Sequence, residues 1–384
     1  MSTLETKGRK VSAARGRIAR ICTGLAASIV CGVAGPAHAG APTVIRMDPS
    51  GPFTVGVTLN GKPLRFLFDT ALPGDGRIDV EVAKELGLKS DGMLPTGVEA
   101  DEGIPLVRGE NFEFGGLKFD KVTLWSVPLN AQAQPEATRI HGAVGWELLK
   151  GRVYTVDFAA RTITVDDAPL AASGPGVSEL VEGEQSPSVP VSLGGVPARA
   201  TLNSGNMMEM VVPPNLLSQL TLTKPAWEAG QIGGGLTIQR ARLVKPMTFS
   251  GVESELTAVD VLSVWPTPNM GFFALQPFAV TFDLPNKRVR LAKSSVEPRA
   301  SIFGVSFDQS QKEGDVRILR VIDGGLASRA GVREGDILRA VNAKKVKEMP
   351  HAGEGVLAAL RTGEVTLELE REGQIVTVSL KKPA

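Results

Sequence analysis

Cysteine, histidine and tyrosine are scarce in this sequence of 384 residues. It has two cysteines, three histidines and one tyrosine, and both cysteines, Cys22 and Cys31, lie within the first 39 residues. Without that segment the chain cannot form a disulfide, a thiolate nucleophile or a cysteine-ligated zinc site. No Gly-x-Ser-x-Gly or His-Glu-x-x-His sequence supports a serine hydrolase or a zinc peptidase. We expect no metal ion and no organic cofactor.

An excess of charge of one sign is also missing. The net charge is +1, with 42% hydrophobic and 22% charged residues. This ordinary globular composition excludes disorder throughout the chain and a nucleic-acid binder driven by bulk positive charge. Glycine (43) and proline (26) are abundant, which favours many short strands and turns over long helices.

The amino-terminal 39 residues have the pattern of a secretory signal peptide. Six basic residues precede an apolar run at 21–33, and Ala37-His38-Ala39 follows it. This pattern predicts cleavage after Ala39. The run is shorter than the roughly 20 residues of a transmembrane helix, and an uncleaved anchor is the alternative. We therefore expect export, to the periplasm, with no stable membrane insertion after cleavage.

Two blocks of sequence occur twice in the same order. Residues 57–69 (VTLNGKPLRFLFD) align without a gap with residues 191–203 (VSLGGVPARATLN). Residues 145–165 align in the same way with residues 271–291. In the first block, strands flank Asn-Gly or Gly-Gly, which is a hairpin signal. The repeat predicts two copies of one β-rich lobe.

Each copy of the first block leads into a short polar turn. The turns are Phe68-Asp69-Thr70-Ala71 and Leu202-Asn203-Ser204-Gly205. A hydrophobic pair followed by Asp-Thr/Ser-Gly resembles the active-site turn of aspartic peptidases. Residues 143–149 are similar to the turn and short helix that support this site. Residues 80–88 resemble the segment after the same turn in bacterial retropepsin-like proteins.

The resemblance implies a site with one carboxylate from each lobe. Two carboxylates a few ångströms apart share one proton, so the ionised one activates water while the protonated one polarises the peptide carbonyl. In the family, the Thr or Ser after each Asp forms crossed hydrogen bonds, and the Gly lets the backbone approach closely. The resemblance assigns the dyad positions to Asp69 and Asn203, and dyad support to Thr70, Ala71, Ser204 and Gly205.

The sequence departs from this pattern at two positions. Ala71 replaces the first Gly, which is a mild change, but Asn203 stands where the second Asp belongs. An amide cannot ionise or relay a proton at neutral pH, so we expect impaired proteolysis. We also predict that the side chains of Asp69 and Asn203 lie within hydrogen-bond reach across the lobe interface.

Several residues near this motif have two interpretations. Asp69 is either a general base paired with another acid, such as Asp75 or Asp79, or a residue that only holds the turn. The sequence Gly233-Gly234-Gly235 is either a mobile flap or an ordinary surface turn. His141 opens the sequence His-Gly-Ala-Val-Gly, and we expect it to be structural.

The tail of the chain contains a second motif. Residues 323–342 (DGGLASRAGVREGDILRAVN) resemble the central signature of bacterial PDZ domains. PDZ domains add a peptide strand to a sheet edge and hold its terminal carboxylate with backbone N–H groups. The resemblance assigns the carboxylate loop to Ile302, Phe303, Gly304 and Val305, with a helix at 352–360 as the other wall. A PDZ fold that only packs on the lobes is the alternative.

We therefore expect a mainly β protein with two retropepsin-like acid-protease lobes in a pseudo-dimer, followed by a PDZ domain. The expected boundaries are a signal peptide at 1–39, a first lobe at 40–168, a linker at 169–186, a second lobe at 187–295 and a PDZ domain at 296–384. The expected function is binding of polypeptides in the interlobe cleft and the PDZ groove, with impaired proteolysis. The alternatives are an active aspartic endopeptidase that uses Asp69 and a non-enzymatic PDZ scaffold or regulator. The expected partner is a polypeptide substrate or a C-terminal peptide ligand.

Overall fold

The computed structural model describes ten stretches of the chain, residues 41–49, 52–95, 103–129, 131–133, 139–181, 186–232, 236–298, 304–308, 316–349 and 364–381. The predicted signal peptide, the predicted helix at 352–360 and residues 233–235 lie outside these stretches. In the described part of the chain, no helix has the length and apolar character needed to cross a bilayer.

The first lobe is a β-sheet that folds around an aromatic core. Asn60 and Gly61 join its first hairpin with φ angles of 50° and 78°, the conformation that a two-residue Asn-Gly turn favours. Alternate hairpin residues are buried, including Val57, Phe66 and Phe68. The elements of this lobe are β1 Thr43–Arg46, β2 Thr54–Leu59, β3 Lys62–Asp69, β4 Gly76–Asp79, α1 Val80–Glu85, β5 Lys89–Leu94, β6 Ile104–Phe114, β7 Leu117–Val127, β8 Gly142–Gly145, β9 Val153–Asp157 and β10 Thr162–Val165, with 3₁₀ turns at Ala131–Ala133 and Trp146–Leu149.

The second lobe repeats the element order of the first lobe but has two additional short strands in its middle. The interlobe segment contributes β11, Val177–Glu179. The elements of the second lobe are β12 Ser188–Leu193, β13 Val196–Leu202, β14 Met210–Val212, α2 Pro214–Leu217, β15 Trp227–Ile232, β16 Leu236–Arg242, β17 Thr248–Phe249, β18 Val252–Glu253, β19 Ala258–Val261, β20 Asn269–Met270, α3 Phe272–Leu275, β21 Phe278–Asp283 and β22 Arg288–Lys293.

The strand order shows that the two sequence repeats have the same fold. The first sheet follows β2-β3-β8-β4-β7-β6-β5, and the second follows β15-β16-β19-β14-β20-β13-β12-β17-β18. The path from β3 to β5 has the same succession of parallel and antiparallel pairings as the path from β13 to β15. The two predicted lobes therefore share one topology.

A further sheet joins the two lobes. Its order is β1-β10-β9-β21-β22-β11, and β9 of the first lobe pairs antiparallel with β21 of the second. The hydroxyl groups of Thr155 and Thr281, which are equivalent residues of the repeat, are 2.9 Å apart in this pairing. The rings of Phe53 and Phe272 also pack across the lobes, with centroids 4.2 Å apart. The lobes therefore form a pseudo-dimer around a continuous apolar core.

The tail forms a third unit with its own core. Its elements are β23 Val305–Asp308, β24 Val316–Val321, α4 Leu326–Arg329, β25 Ile337–Val341, β26 Lys344–Lys345, a 3₁₀ turn at Val346–Glu348, β27 Glu364–Arg371 and β28 Gln374–Lys381. The sheet order is β23-β24-β25-β27-β28, with β26 beside β25. Gly335 adopts a φ of 94°, and the Asp336 carboxylate accepts from the Arg333 N–H and pairs with Arg371. These contacts fix the bend into β25.

Buried charges join the tail unit to the second lobe. Arg240 on β16 is fully buried, and its guanidinium lies 2.5 Å from Glu209 and 2.7 Å from Asp260, both in the second lobe. The same guanidinium lies 2.7 Å from Glu334 and donates to the carbonyl of Val321, both in the tail. Since an unpaired buried guanidinium is strongly unfavourable, these partners hold the tail against the second lobe.

Further contacts between the second lobe and the tail surround Arg240. Arg242 pairs with Asp323 at 3.1 Å, and the Asp323 N–H donates to the Glu209 carboxylate at 2.9 Å. The indole N–H of Trp227 on β15 donates to the carbonyl of Leu319 on β24 at 3.3 Å. The hairpin formed by β15 and β16 is therefore in direct contact with the tail unit.

Candidate functional site

The two polar turns meet across the lobe interface through four hydrogen bonds. The Thr70 hydroxyl accepts from the Ser204 N–H at 3.0 Å and donates to the Leu202 carbonyl at 2.7 Å. The Ser204 hydroxyl accepts from the Thr70 N–H at 3.0 Å and donates to the Phe68 carbonyl at 2.6 Å. Both side chains are fully buried. This crossed arrangement brings Asp69 and Asn203, the residues just before Thr70 and Ser204, to equivalent places in the two lobes.

Asp69 ends β3 and is almost completely buried, with 7% of its surface exposed. Its carboxylate accepts a hydrogen bond from the Ala71 N–H at 2.9 Å. Burial raises the pKa of Asp69 above the ordinary value of 3.8, although the Ala71 N–H and the charge of Arg77 lower it. The carboxyl group therefore keeps its proton to a higher pH than an exposed Asp does.

Gly205, in the turn of the second lobe, lies against the Asp69 carboxylate. A Cβ atom at this position would lie 2.3 Å from Oδ2 of Asp69, so any larger residue would displace the carboxylate. The backbone N–H of Gly205 is also among the groups that stabilise the ionised carboxylate. The second lobe thus supplies part of the surroundings of the carboxylate in the first lobe.

Asn203 is held by its backbone. Its N–H donates to the Met270 carbonyl at 2.9 Å, and its carbonyl accepts from the Asn206 N–H at 3.2 Å. Its side chain is partly exposed, and within the described residues no hydrogen bond joins it to Asp69. That the two side chains lie within hydrogen-bond distance of each other therefore stays a prediction.

Two glycines, one in each lobe, let the supporting turns pack closely beside the polar turns. Gly145 pairs with Asp69 across β3 and β8, and a Cβ atom there would lie 2.3 Å from the carbonyl of Gly74. Gly271 is the equivalent residue of the repeat, and a Cβ atom there would lie 2.4 Å from the carbonyl of Met208. Each supporting turn therefore packs directly on the loop that follows the polar turn of its own lobe.

The two other acids suggested as partners of Asp69 have structural contacts of their own. The Asp75 carboxylate accepts from the Thr123 N–H at 2.9 Å. Asp79 is the N-cap of α1 and also accepts from the N–H of Leu129 at 2.8 Å. Desolvation raises the pKa of Asp79, but the backbone N–H groups outweigh it and the pKa is lowered. Both carboxylates thus hold loops of the first lobe.

Two further contacts define the surroundings of the site. The Nδ1 atom of His141 accepts from the Arg65 N–H at 3.1 Å, which holds β3 beside the turn before β8. The Ser186 hydroxyl, from the segment between the lobes, donates to the Ala71 carbonyl at 2.6 Å. His141 therefore has a structural contact, and its role stays a prediction.

Arg77 is a residue of the site region that the motif did not indicate. It lies on β4 between Gly76 and Ile78, which are both buried. Its charge acts on Asp69, and its Nε atom is buried without a hydrogen-bond partner among the described residues. The alternation of β4 could have revealed it, because a lone Arg between two core positions must face away from the core.

The strand β23 lies at the edge of the tail sheet. In the described part of the chain, β23 pairs with β24 on one side and has no strand on the other. Val305 begins this strand, and Gly304 precedes it with a φ of 74° and accepts from the Ile322 N–H at 2.8 Å. Ile302 and Phe303, the other residues assigned to the carboxylate loop, lie outside the described residues.

Comparison with known families agrees with this architecture. Residues 55–148 match the family described as aspartyl protease, and residues 317–371 match the PDZ domain family. A comparison with curated proteins gives no match. The chain thus contains an aspartyl protease-like domain and a PDZ domain, and the resemblance read from the sequence is confirmed. Within the described residues, no group of three or more His, Cys, Asp or Glu side chains is arranged to hold a metal ion.

Proposed function

We propose that this protein is an exported, periplasmic, aspartyl protease-like protein that binds polypeptides. Binding takes place in the cleft between the lobes and at the edge of the PDZ domain, and hydrolysis of peptide bonds is impaired. One observation carries the proposal: the crossed hydrogen bonds of Thr70 and Ser204 are complete, whereas only Asp69 of the two dyad positions is a carboxylic acid.

The chemistry of the two positions explains the impairment. Water attack on a peptide bond needs one group to accept a proton and another to donate a proton to the carbonyl oxygen. Asp69 can perform one of these steps at a time. The Asn203 amide can donate a hydrogen bond but cannot transfer its proton at neutral pH. The site therefore supports binding of a peptide carbonyl better than its hydrolysis.

Exposed apolar side chains support the binding of polypeptides. Met93 lies on β5 and Leu236 on β16, each beside the tip of its hairpin, and Met207 follows the polar turn of the second lobe. All three are exposed. Exposed apolar side chains mark an interaction surface where they form one patch, and we propose that these three contact the same bound segment. They suit an extended segment that presents apolar residues.

The edge position of β23 supports a second mode of binding. An extended peptide can add to an unpaired sheet edge through main-chain hydrogen bonds. A free terminal carboxylate would then be held by backbone N–H groups near Gly304. PDZ domains generally bind peptides in this way, and we extend this binding to the present chain.

A second candidate function is an aspartic endopeptidase that uses Asp69 as its single acid. The observation in its favour is the burial of Asp69, which raises its pKa and suits it to hold a proton. This candidate differs from the first in one consequence, because it requires cleavage that disappears in Asp69→Ala.

The proposed binding function is tested with two matched peptide pools. One pool of extended, largely apolar peptides has free C-termini, and the other has the same sequences as C-terminal amides. We expect the full chain to bind both pools at pH 7 and to leave them intact by mass spectrometry. Binding of the free-acid pool alone would support a PDZ scaffold, and binding of neither would contradict the proposal.

The proposed export is tested by the mass and the cellular compartment of the expressed protein. The full chain is expressed in a bacterium, and the mass of the recovered protein is measured. We expect periplasmic protein that lacks residues 1–39. Membrane-bound protein of full mass would support an uncleaved anchor, and cytoplasmic protein would contradict export.

A further inference from the structure

We propose that Arg77 forms an anion-binding subsite in the interlobe cleft, which selects polypeptides with an Asp or Glu side chain close to the segment held at Asp69. The inference rests on the proposed function, since it names the class of polypeptide that the cleft takes. It assigns a specificity-determining role to a residue that neither motif includes.

The register of the first sheet places Arg77 on the same face as Asp69. Leu67 pairs with Ala143 across β3 and β8, and Ala143 pairs with Arg77 across β8 and β4. Directly paired residues share a face, and residues two apart on one strand share it too. Asp69 is two residues beyond Leu67, so Arg77 and Asp69 project from one face, two strands apart.

The spacing of the sheet allows the two side chains to flank one bound residue. Neighbouring strands lie about 4.8 Å apart and residues rise about 3.3 Å along a strand. Two strands and two residues therefore separate the Cα atoms of Asp69 and Arg77 by about 12 Å. A long Arg side chain covers much of this distance, and its positive charge favours the ionised form of Asp69.

The guanidinium of Arg77 lacks the partners that a buried Arg normally has. Its Nε atom is buried and has no hydrogen-bond partner within the described residues. The two acidic side chains nearest to Arg77 in sequence have other partners: Asp75, just before β4, accepts from the Thr123 N–H, and Asp79, at the end of β4, caps α1. Arg77 as a residue keeps part of its surface exposed, so an acceptor can approach the guanidinium from solvent, and a hydrogen-bonded ligand there would offset the cost of the unsatisfied group.

A carboxylate is the ligand that fits these donors. The guanidinium is planar, stays charged and binds a carboxylate with two parallel hydrogen bonds. A polypeptide supplies such a group as an Asp or Glu side chain. Without Arg77, an acidic side chain in this place would lose this pairing.

The test uses octapeptides that are acetylated at one end and amidated at the other, so that they lack the free carboxylate that a PDZ loop would hold. In one series a single Glu moves through eight positions of an otherwise uncharged, largely apolar sequence. In the matched series Gln replaces that Glu. Dissociation constants are measured at pH 7 by fluorescence anisotropy for the full-length wild type, Arg77→Gln, Arg77→Lys and Arg152→Gln. Arg152 is the control because it forms an exposed pair with Asp167 on another loop.

We expect one position at which the Glu peptide binds wild type about tenfold more tightly than its Gln twin, since a hydrogen-bonded charge pair has about this strength. The preference should disappear in Arg77→Gln and persist in part in Arg77→Lys. It should be unchanged in the control Arg152→Gln. Added salt should weaken the preference of wild type. Equal binding of the twins at all positions, or a preference that survives Arg77→Gln, would overturn the inference while leaving peptide binding intact. Failure of every peptide to bind wild type would instead overturn binding in the cleft itself, and the subsite with it.

Discussion

At the scale of single residues, the site differs from a two-carboxylate site by one functional group. The side chains of Asn and Asp have nearly the same shape, so the amide of Asn203 can occupy the place of the second carboxylate without disturbing the turn. The neighbouring Ser204 keeps all its hydrogen bonds to the first lobe. The change therefore affects proton transfer and leaves the local structure intact.

Asp69 should make stability depend on pH. Its pKa is raised by burial above 3.8, so the folded state holds this proton over a pH range in which the unfolded state has lost it. By linkage, the stabilisation is present below pH 3.8 and is lost as the pH rises through the folded pKa. We therefore expect the melting temperature of wild type, relative to Asp69→Asn, to fall as the pH rises above about 4. A difference that stays constant or rises with pH would contradict the raised pKa.

Gly205→Ala should be destabilising because of the Asp69 carboxylate. The added methyl would lie 2.3 Å from Oδ2 of Asp69, and overpacking of this kind typically costs about 1–3 kcal/mol. Gly56→Ala is the matched control, since a Cβ atom there would meet nothing within 4 Å. Denaturant unfolding should give a large loss for Gly205→Ala and little change for Gly56→Ala. The loss of stability caused by Gly205→Ala should be smaller in an Asp69→Ala background. An equal loss there would show that the added methyl does not clash with the Asp69 carboxylate.

At the scale of elements, the hairpin of β15 and β16 links the second lobe to the tail. Arg240 on β16 has partners in both units, and Trp227 on β15 donates to β24. The second lobe and the PDZ domain should therefore unfold together. The corresponding hairpin of the first lobe is formed by β5 and β6.

Replacement of Arg240 should be strongly destabilising. Arg240→Met leaves Glu209 buried without its cation and leaves Asp260 with Arg320 alone, and breaking a buried ion pair typically costs about 3–5 kcal/mol. Arg152→Met removes an exposed pair with Asp167 and should cost less than about 1 kcal/mol. Calorimetry should also show a separate, earlier transition of the tail in Arg240→Met. A single unshifted transition would show that the buried charges do not hold the tail.

The elements that the sequence predicts best are those with local signals. Asn60-Gly61 and Gly194-Gly195 predict the first hairpin of each lobe, because turn conformation depends on the residues in the turn. Arg77 and Arg240 were missed because their surroundings depend on strand register and on docking between units. These arise from contacts between residues far apart in the chain, which no local pattern encodes.

At the scale of the whole molecule, the fold repeats one lobe around a pseudo-twofold axis and adds a PDZ domain to the second copy. The crossed contacts of Thr70 with Ser204, and of Thr155 with Thr281, join equivalent residues of the repeat. The sequence predicts this symmetry because both copies keep the residues at the axis. The sequence also predicts that the two lobes differ at position 203, where Asn stands in place of the second acid that a two-carboxylate site requires.

The central claim is that an intact two-lobe site lacks one carboxylate. Its most direct test is digestion of casein from pH 3 to 8 by wild type, Asp69→Ala, Asn203→Asp and the double variant. We predict no cleavage by wild type, acid-dependent cleavage by Asn203→Asp because two carboxylates can then share a proton, and none by the double variant. Cleavage by wild type that is lost in Asp69→Ala would contradict the claim and identify a single-acid peptidase. A folded Asn203→Asp variant that cleaves nothing would contradict it as well, since the second carboxylate would then not be the missing part.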